Sequence, residues 1–164
     1  MPNIQSGGAV SLPEAYEIKA LSCDEVSHTG DTNETQLKKY TIPAGLIGSN
    51  GAIRFRIAGK SSGNLDEKYI RLKLGGSQAG FMTAIAQVST LDWMMDGVIY
   101  NNSAENSQKA FHRSSYDDVL VDTKTAQNTS VDTTAEVDIE VTGQLLNAAD
   151  SIGINEFSIE IYSN

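Results

Sequence analysis

Residues 52–58 read Ala52-Ile53-Arg54-Phe55-Arg56-Ile57-Ala58. Ile53, Phe55 and Ile57 fall on one side of an extended chain, and Arg54 and Arg56 on the other. Successive side chains of a strand point to opposite faces, so this run predicts a strand with one buried face. The same period recurs outward along the chain. Ile70, Leu72 and Leu74 alternate with Tyr69, Arg71 and Lys73; Val137, Ile139 and Val141 with Glu136, Asp138 and Glu140; Phe157, Ile159 and Ile161 with Ser158, Glu160 and Tyr162. Less regular runs at 15–22, 36–42, 81–89, 93–100, 108–113 and 118–123 are read as further strands. Turn chemistry separates them, as in Pro43-Ala44-Gly45, Asn50-Gly51 and Gly75-Gly76, where glycine supplies the positive φ that tight turns need. No amphipathic helix of three turns is found. Residues 124–134 are small and polar and read as a long loop, and 143–150 as one short helical turn. Eight to ten short strands joined this way predict an all-β antiparallel β-sandwich, most simply a jelly roll. The predicted domain spans 15–164, preceded by an extended N-terminal arm over 1–14.

Composition narrows the function. The chain has 164 residues, 40% of them hydrophobic and 20% charged, a globular balance that excludes wholesale disorder. Acidic residues outnumber basic ones 21 to 12, a net charge of −9, which argues against nucleic acid as a partner. No apolar stretch approaches the roughly 18 residues of a membrane span, and residues 1–11 lack the order of a signal peptide. Cys23 is the single cysteine, so an intrachain disulfide is ruled out. Assembly in a reducing cytoplasm is expected. The sequons at Asn33, Asn101 and Asn128 then carry no meaning as glycan sites.

Candidate chemistry is sparse. His28 and His112 lie far apart, with no catalytic or metal-ligand spacing. Gly59-Lys60-Ser61 lacks the earlier glycine of a P-loop. Asp117, Asp118 and Asp122 flank a short strand and read as solvated ends rather than a glycosidase pair. Gly30-Asp31-Thr32-Asn33-Glu34 places oxygens at alternate positions, as a hard cation prefers; an Asx-rich turn is the plainer reading. No enzyme activity, metal or cofactor is expected. Phe55, Phe157 and Trp93 are assigned to the core. Tyr100, Phe111, His112 and Tyr116 flank a polar 101–110 loop and form a candidate glycan-binding surface, although rings that close one end of the sandwich are the preferred reading. Outward charges are basic on 52–58 and 68–74 and acidic on 136–141 and 157–162. They either pair across neighbouring strands or define a basic and an acidic face.

The order Tyr40-Thr41-Ile42-Pro43-Ala44-Gly45-Leu46, Asn50-Gly51-Ala52-Ile53-Arg54-Phe55-Arg56, Lys68 to Gly76, Gly143 to Asp150 and Glu156 to Tyr162 resembles jelly-roll structural proteins of tailed bacteriophages. These occur as capsid decoration (cement) proteins and as tail-fibre or tail-tip domains. The resemblance implies a homotrimer in the virion, on the outer capsid surface, with the major capsid protein as partner. The contact residues then expected are those of the arm (Pro2, Asn3, Ile4, Gln5), with Arg54, Arg56, Arg71 and Lys73 as the alternative. A tail-fibre or baseplate domain that binds a host glycan is the second reading. A cupin-type enzyme ranks last, because its site needs clustered histidines.

Overall fold

The computed structural model describes residues 16–85, 90–116 and 119–163. Their backbone forms eleven strands: β1 (Tyr16–Ser22), β2 (Val26–Thr29), β3 (Thr35–Ile42), β4 (Ala52–Ser62), β5 (Lys68–Leu74), β6 (Ser77–Ile85), β7 (Thr90–Asn101), β8 (Gln108–Tyr116), β9 (Val119–Thr129), β10 (Val137–Leu145) and β11 (Ser151–Tyr162). One sheet has the order β1-β11-β4-β7-β8-β9, with β2 also paired to β11. The other has the order β3-β10-β5-β6. All the ladders are antiparallel.

The connectivity is that of a jelly roll. β1 and β2 lie end to end along the same flank of β11 and act as one interrupted edge strand. Counted so, β1/β2, β11, β4 and β7 make one four-stranded layer and β3, β10, β5 and β6 the other. The pairs β1/β2–β11, β3–β10, β4–β7 and β5–β6 are the rungs of one long antiparallel ribbon wound into two Greek keys. The β8–β9 hairpin is inserted between β7 and β10 and widens the first sheet.

The four regular alternating runs lie within β4, β5, β10 and β11, and their apolar halves form the core. Phe55, Ile57, Ile159 and Ile161 from the larger sheet and Ile70, Leu72, Ile139 and Val141 from the smaller are all buried. Burying each such side chain is worth about 1.5–3 kcal/mol. Phe157 and Trp93 are buried as expected. Gly97 pairs with Phe55 across the β4–β7 ladder. A Cβ there would sit 2.3 Å from Phe111 O and 2.7 Å from Phe55 Cζ, so the Phe55 ring occupies the space that glycine leaves.

Three local expectations are corrected. Residues up to Thr129 belong to β9 rather than to a loop, because Asn128 and Thr129 pair with Lys109 and Gln108; backbone pairing holds a polar segment that carries no apolar period. Gly143, Gln144 and Leu145 continue β10 against Ile70, Tyr69 and Lys68. The residues after them form a turn rather than a helical segment, with Asp150 N donating to Asn147 O at 3.1 Å. The 101–110 loop shortens to 102–107. Residues 86–89, and the arm over 1–14, lie outside the described residues.

The two alternatives for the outward charges are resolved in favour of pairing. Strands of opposite sign are neighbours, β4 beside β11 and β5 beside β10. Arg56 Nε lies 3.0 Å from Glu156 Oε1 and Arg54 Nη1 3.7 Å from Glu160 Oε2. Exposed pairs of this kind contribute about 0–1 kcal/mol each.

Candidate functional site: two braced ends of the sandwich

The β4–β5 and β10–β11 loops meet at one end of the sandwich. Lys68 opens β5 on the same parity as Ile70 and Leu72, so its stem points inward. It is only 1% exposed, and Asp150 is fully buried. The Lys68 ammonium donates to Asn64 O at 2.9 Å and Asp66 O at 3.0 Å, and lies 3.0 Å from Asp150 Oδ2. Asp150 Oδ1 accepts from Asn64 N at 2.6 Å, and the Asp150 carbonyl accepts from Thr29 Oγ1 at 2.9 Å. Two buried charges are thus neutralised and ringed by backbone groups, the condition under which a buried pair is tolerated. Gly63 lies against the same carboxylate at φ +115°, where a Cβ would fall 2.1 Å from Asp150 Oδ1. The loops are joined again by Asn147 Nδ2 to Asp66 Oδ2 at 2.9 Å and Leu146 N to Glu67 O at 3.3 Å. On this fixed scaffold Leu65 is 65% exposed and Leu146 54%. Two large apolar side chains are therefore held out in water by a rigid frame.

The opposite end is closed by neutral groups. Gln108 and Asn101 are buried partners at the mouth of the β7–β8 turn. Gln108 Nε2 donates to Asn101 Oδ1 at 2.9 Å, Glu105 O at 3.1 Å and Val131 O at 2.9 Å. Its Oε1 accepts from Val131 N and Thr129 Oγ1, both at 2.9 Å. Asn101 Nδ2 donates to Gly48 O at 2.6 Å and to buried Thr133 Oγ1 at 2.9 Å. The β3–β4, β7–β8 and β9–β10 connections are locked together by one fully used amide pair.

The structure separates the residues picked out from the sequence. Arg54 and Arg56 are exposed on the outer face of the larger sheet. Arg71 and Lys73 lie on the smaller sheet around Glu34, whose Oε1 is 2.6 Å from Lys73 Nζ and whose Oε2 is 3.7 Å from Arg71 Nη1. The four cations are therefore split two and two between the sheets. Tyr100 and Phe111 stack on the outside of the larger sheet, centroids 5.9 Å apart and planes 15° apart, so they do not close an end of the sandwich. His112 is buried on the inner face, and Tyr116 packs against the core. Residues 111 and 112 are consecutive on a strand, so alternation alone separates them. Pro2, Asn3, Ile4 and Gln5 lie outside the described residues.

The 30–34 turn holds its oxygens for protein partners. Asp31 Oδ1 accepts from Asn33 N at 2.7 Å, and Glu34 is taken up by Lys73, Arg71 and Thr142. Among the described residues, no three His, Cys, Asp or Glu side chains converge as a metal site. No helix long and apolar enough to cross a membrane occurs among them.

Burial of Glu34 opposes its ionisation, but the Lys73 and Thr142 hydrogen bonds and the Arg71 charge outweigh it and hold the carboxyl below its ordinary value of 4.5. A carboxyl depressed in the folded state adds stability above its unfolded pKa, which is lost as pH falls through the folded value. Glu34→Gln is therefore expected to lower the urea midpoint at pH 7 and to match the wild type well below pH 4.5. An equal deficit at both pH values would show that ionisation of Glu34 contributes nothing.

No protein-family model and no curated protein matches the sequence. Similar solved structures include lectin II from Ulex europaeus, at 13% identity and a TM-score of 0.42, covering 92% of this chain and 94% of that one. A Lotus tetragonolobus seed lectin matches at 8% identity and 0.46, covering 88% and 91%. The CBM2 module of an evolved Dit from Lactobacillus casei BL23 phage J-1 matches at 9% identity and 0.34, covering 77% and 69%. The chain is an all-β, two-sheet antiparallel sandwich.

Proposed function

We propose that this chain is a non-enzymatic structural protein of a tailed-phage virion, a decoration protein that binds the outer surface of the assembled head and stabilises it. The observation that carries this reading is the braced loop end. Leu65 and Leu146 are exposed, yet the loops beneath them are pinned by the Lys68–Asp150 pair and the Asn147–Asp66 bond. A rigid apolar surface loses little entropy on docking against another protein. The partner is the major capsid protein. Binding only the assembled shell stabilises that shell by mass action, and a homotrimer multiplies weak contacts through effective concentration. The arm, with Pro2, Asn3, Ile4 and Gln5, adds a second contact.

The reading is tested on purified virions by quantitative mass spectrometry. Copy number comparable with the major capsid protein is expected; a number far below it moves the protein to the tail. The double change Leu65→Ser with Leu146→Ser should cut capsid occupancy about tenfold or more while leaving the melting temperature unchanged, because both side chains are already exposed. Wild-type occupancy would remove the loop end from the interface. Recognition of a host glycan from a tail fibre or baseplate is the second reading, favoured by the stacked Tyr100–Phe111 pair on an outer face.

A further inference from the structure

The β11 ladder slips between Ile154 and Glu156, leaving Asn155 without a partner on β4. This is a β-bulge, a device that re-aims a side chain, and Asn155 is exposed. On the outer face beside it the residues are small. Gly153 sits between Ser27 and Lys60 in the β2–β11–β4 register, and Ala58 sits between Glu156 and Met94. Large side chains are therefore missing from the centre of this corner of the sheet. A cleft of about 500 Å³ results, bordered by Lys60, Asp92, Trp93, Tyr116 and Asn155. A second hollow of about 320 Å³ shares Lys60 and Asn155 and adds Glu25 and Ser27.

The lining has a particular chemistry. Lys60 Nζ lies 3.5 Å from Asp92 Oδ1 across the cleft rim. Donors (Lys60 and the Asn155 amide) and acceptors (Asp92, Glu25 and the Asn155 carbonyl) stand beside each other, so neither sign of ligand charge is strongly favoured. Half-buried Tyr116 and Met94 supply apolar surface next to them. Trp93 only floors the cleft: it is 5% exposed and belongs to the core. A ligand with a hydroxyl rim and apolar ring faces uses all of these features, whereas an anion or a purely apolar molecule leaves half of them unused.

We infer that the bulge-centred cleft around Asn155 is a saccharide-binding site for neutral, hexopyranose-containing glycans. It is separate from the Tyr100–Phe111 stack and rests on no part of the head-surface reading.

The test uses the purified full chain on an array of neutral and sialylated glycans, followed by calorimetric titration with the strongest neutral oligosaccharide. Asn155→Ala and Asp92→Ala are each expected to weaken binding about tenfold, as loss of one or two ligand hydrogen bonds does. Ser115→Trp, which fills the cleft from β8, should abolish it. Phe111→Ala, on the same face but outside the cleft, should leave it unchanged. Each variant is compared at an unchanged melting temperature. An empty array, binding confined to sialylated glycans, or loss with Phe111→Ala while Asn155→Ala and Ser115→Trp still bind would each overturn the assignment. Virion copy number is read independently, so failure here leaves the decoration reading standing.

Discussion

Asp150→Ala is expected to lower the unfolding free energy by about 3–5 kcal/mol, the usual cost of removing one partner from a buried ion pair. The substitution leaves the Lys68 ammonium 1% exposed without its counter-charge. It also removes the acceptor for Asn64 N. Folded domains have only about 5–15 kcal/mol in hand, so the variant should unfold at a much lower urea concentration. The β4–β5 and β10–β11 loops should lose their amide protection first. Lys68→Met removes the other charge and keeps the apolar stem; it strands the Asp150 carboxylate and should cost a similar amount. Combining the two changes should cost clearly less than the sum of the singles, because neither charge is then left unpaired. Equilibrium urea unfolding of the four proteins checks this. A loss below about 1 kcal/mol for Asp150→Ala would mean that water reaches the pair, and that the loop end is not rigid in the sense required for docking.

Gln108→Leu should cost about 3 kcal/mol or more, although leucine is close to glutamine in size. The reason is what remains. Buried Asn101 Oδ1 and the part-buried Val131 O, Val131 N and Thr129 hydroxyl all lose a partner. Each buried polar group left unsatisfied costs about 1–3 kcal/mol, partly relieved by rearrangement. The damage should be local. Hydrogen exchange at Val131 N and Thr133 N, the latter bonded to Glu105 O at 2.9 Å, should accelerate, while β5 and β10 keep their protection. Uniform acceleration across both sheets would show instead that the amide network nucleates the whole fold rather than closing one end.

How far each element is legible from sequence depends on its surroundings. β4, β5, β10 and β11 carry strict alternation because each lies between a packed core and water, and one-sided burial writes itself into period two. β2 is short, with only Val26 and His28 turned toward the core side, too few positions for a period to show. β9 runs through Lys124 to Thr129, where strand structure comes from backbone pairing to β8 that side-chain polarity does not report. The braced ends are partly legible. Lys68 shares parity with Ile70, and Gln108 with Ala110 and His112, so each polar side chain stands where an apolar one is expected. Their partners are not legible: Asp150 lies 82 positions from Lys68, and Thr133 lies 32 from Asn101. The Asn155 bulge is likewise a property of register between strands, which no single run of residues reveals.

β1 and β11 are neighbours in the larger sheet, with Tyr16 opposite Tyr162. That pairing has a consequence for the timing of synthesis. The β11–β4 ladder also needs β11, so a nascent chain can complete neither ladder until residue 162 has emerged. Until then β4 offers an open apolar edge, and β1 has nothing to join. Closing such distant pairs carries a large loop entropy and slows folding to the millisecond-to-second range. The nascent segment is therefore exposed to self-association until β11 has been made, and chaperone demand should fall on that stage.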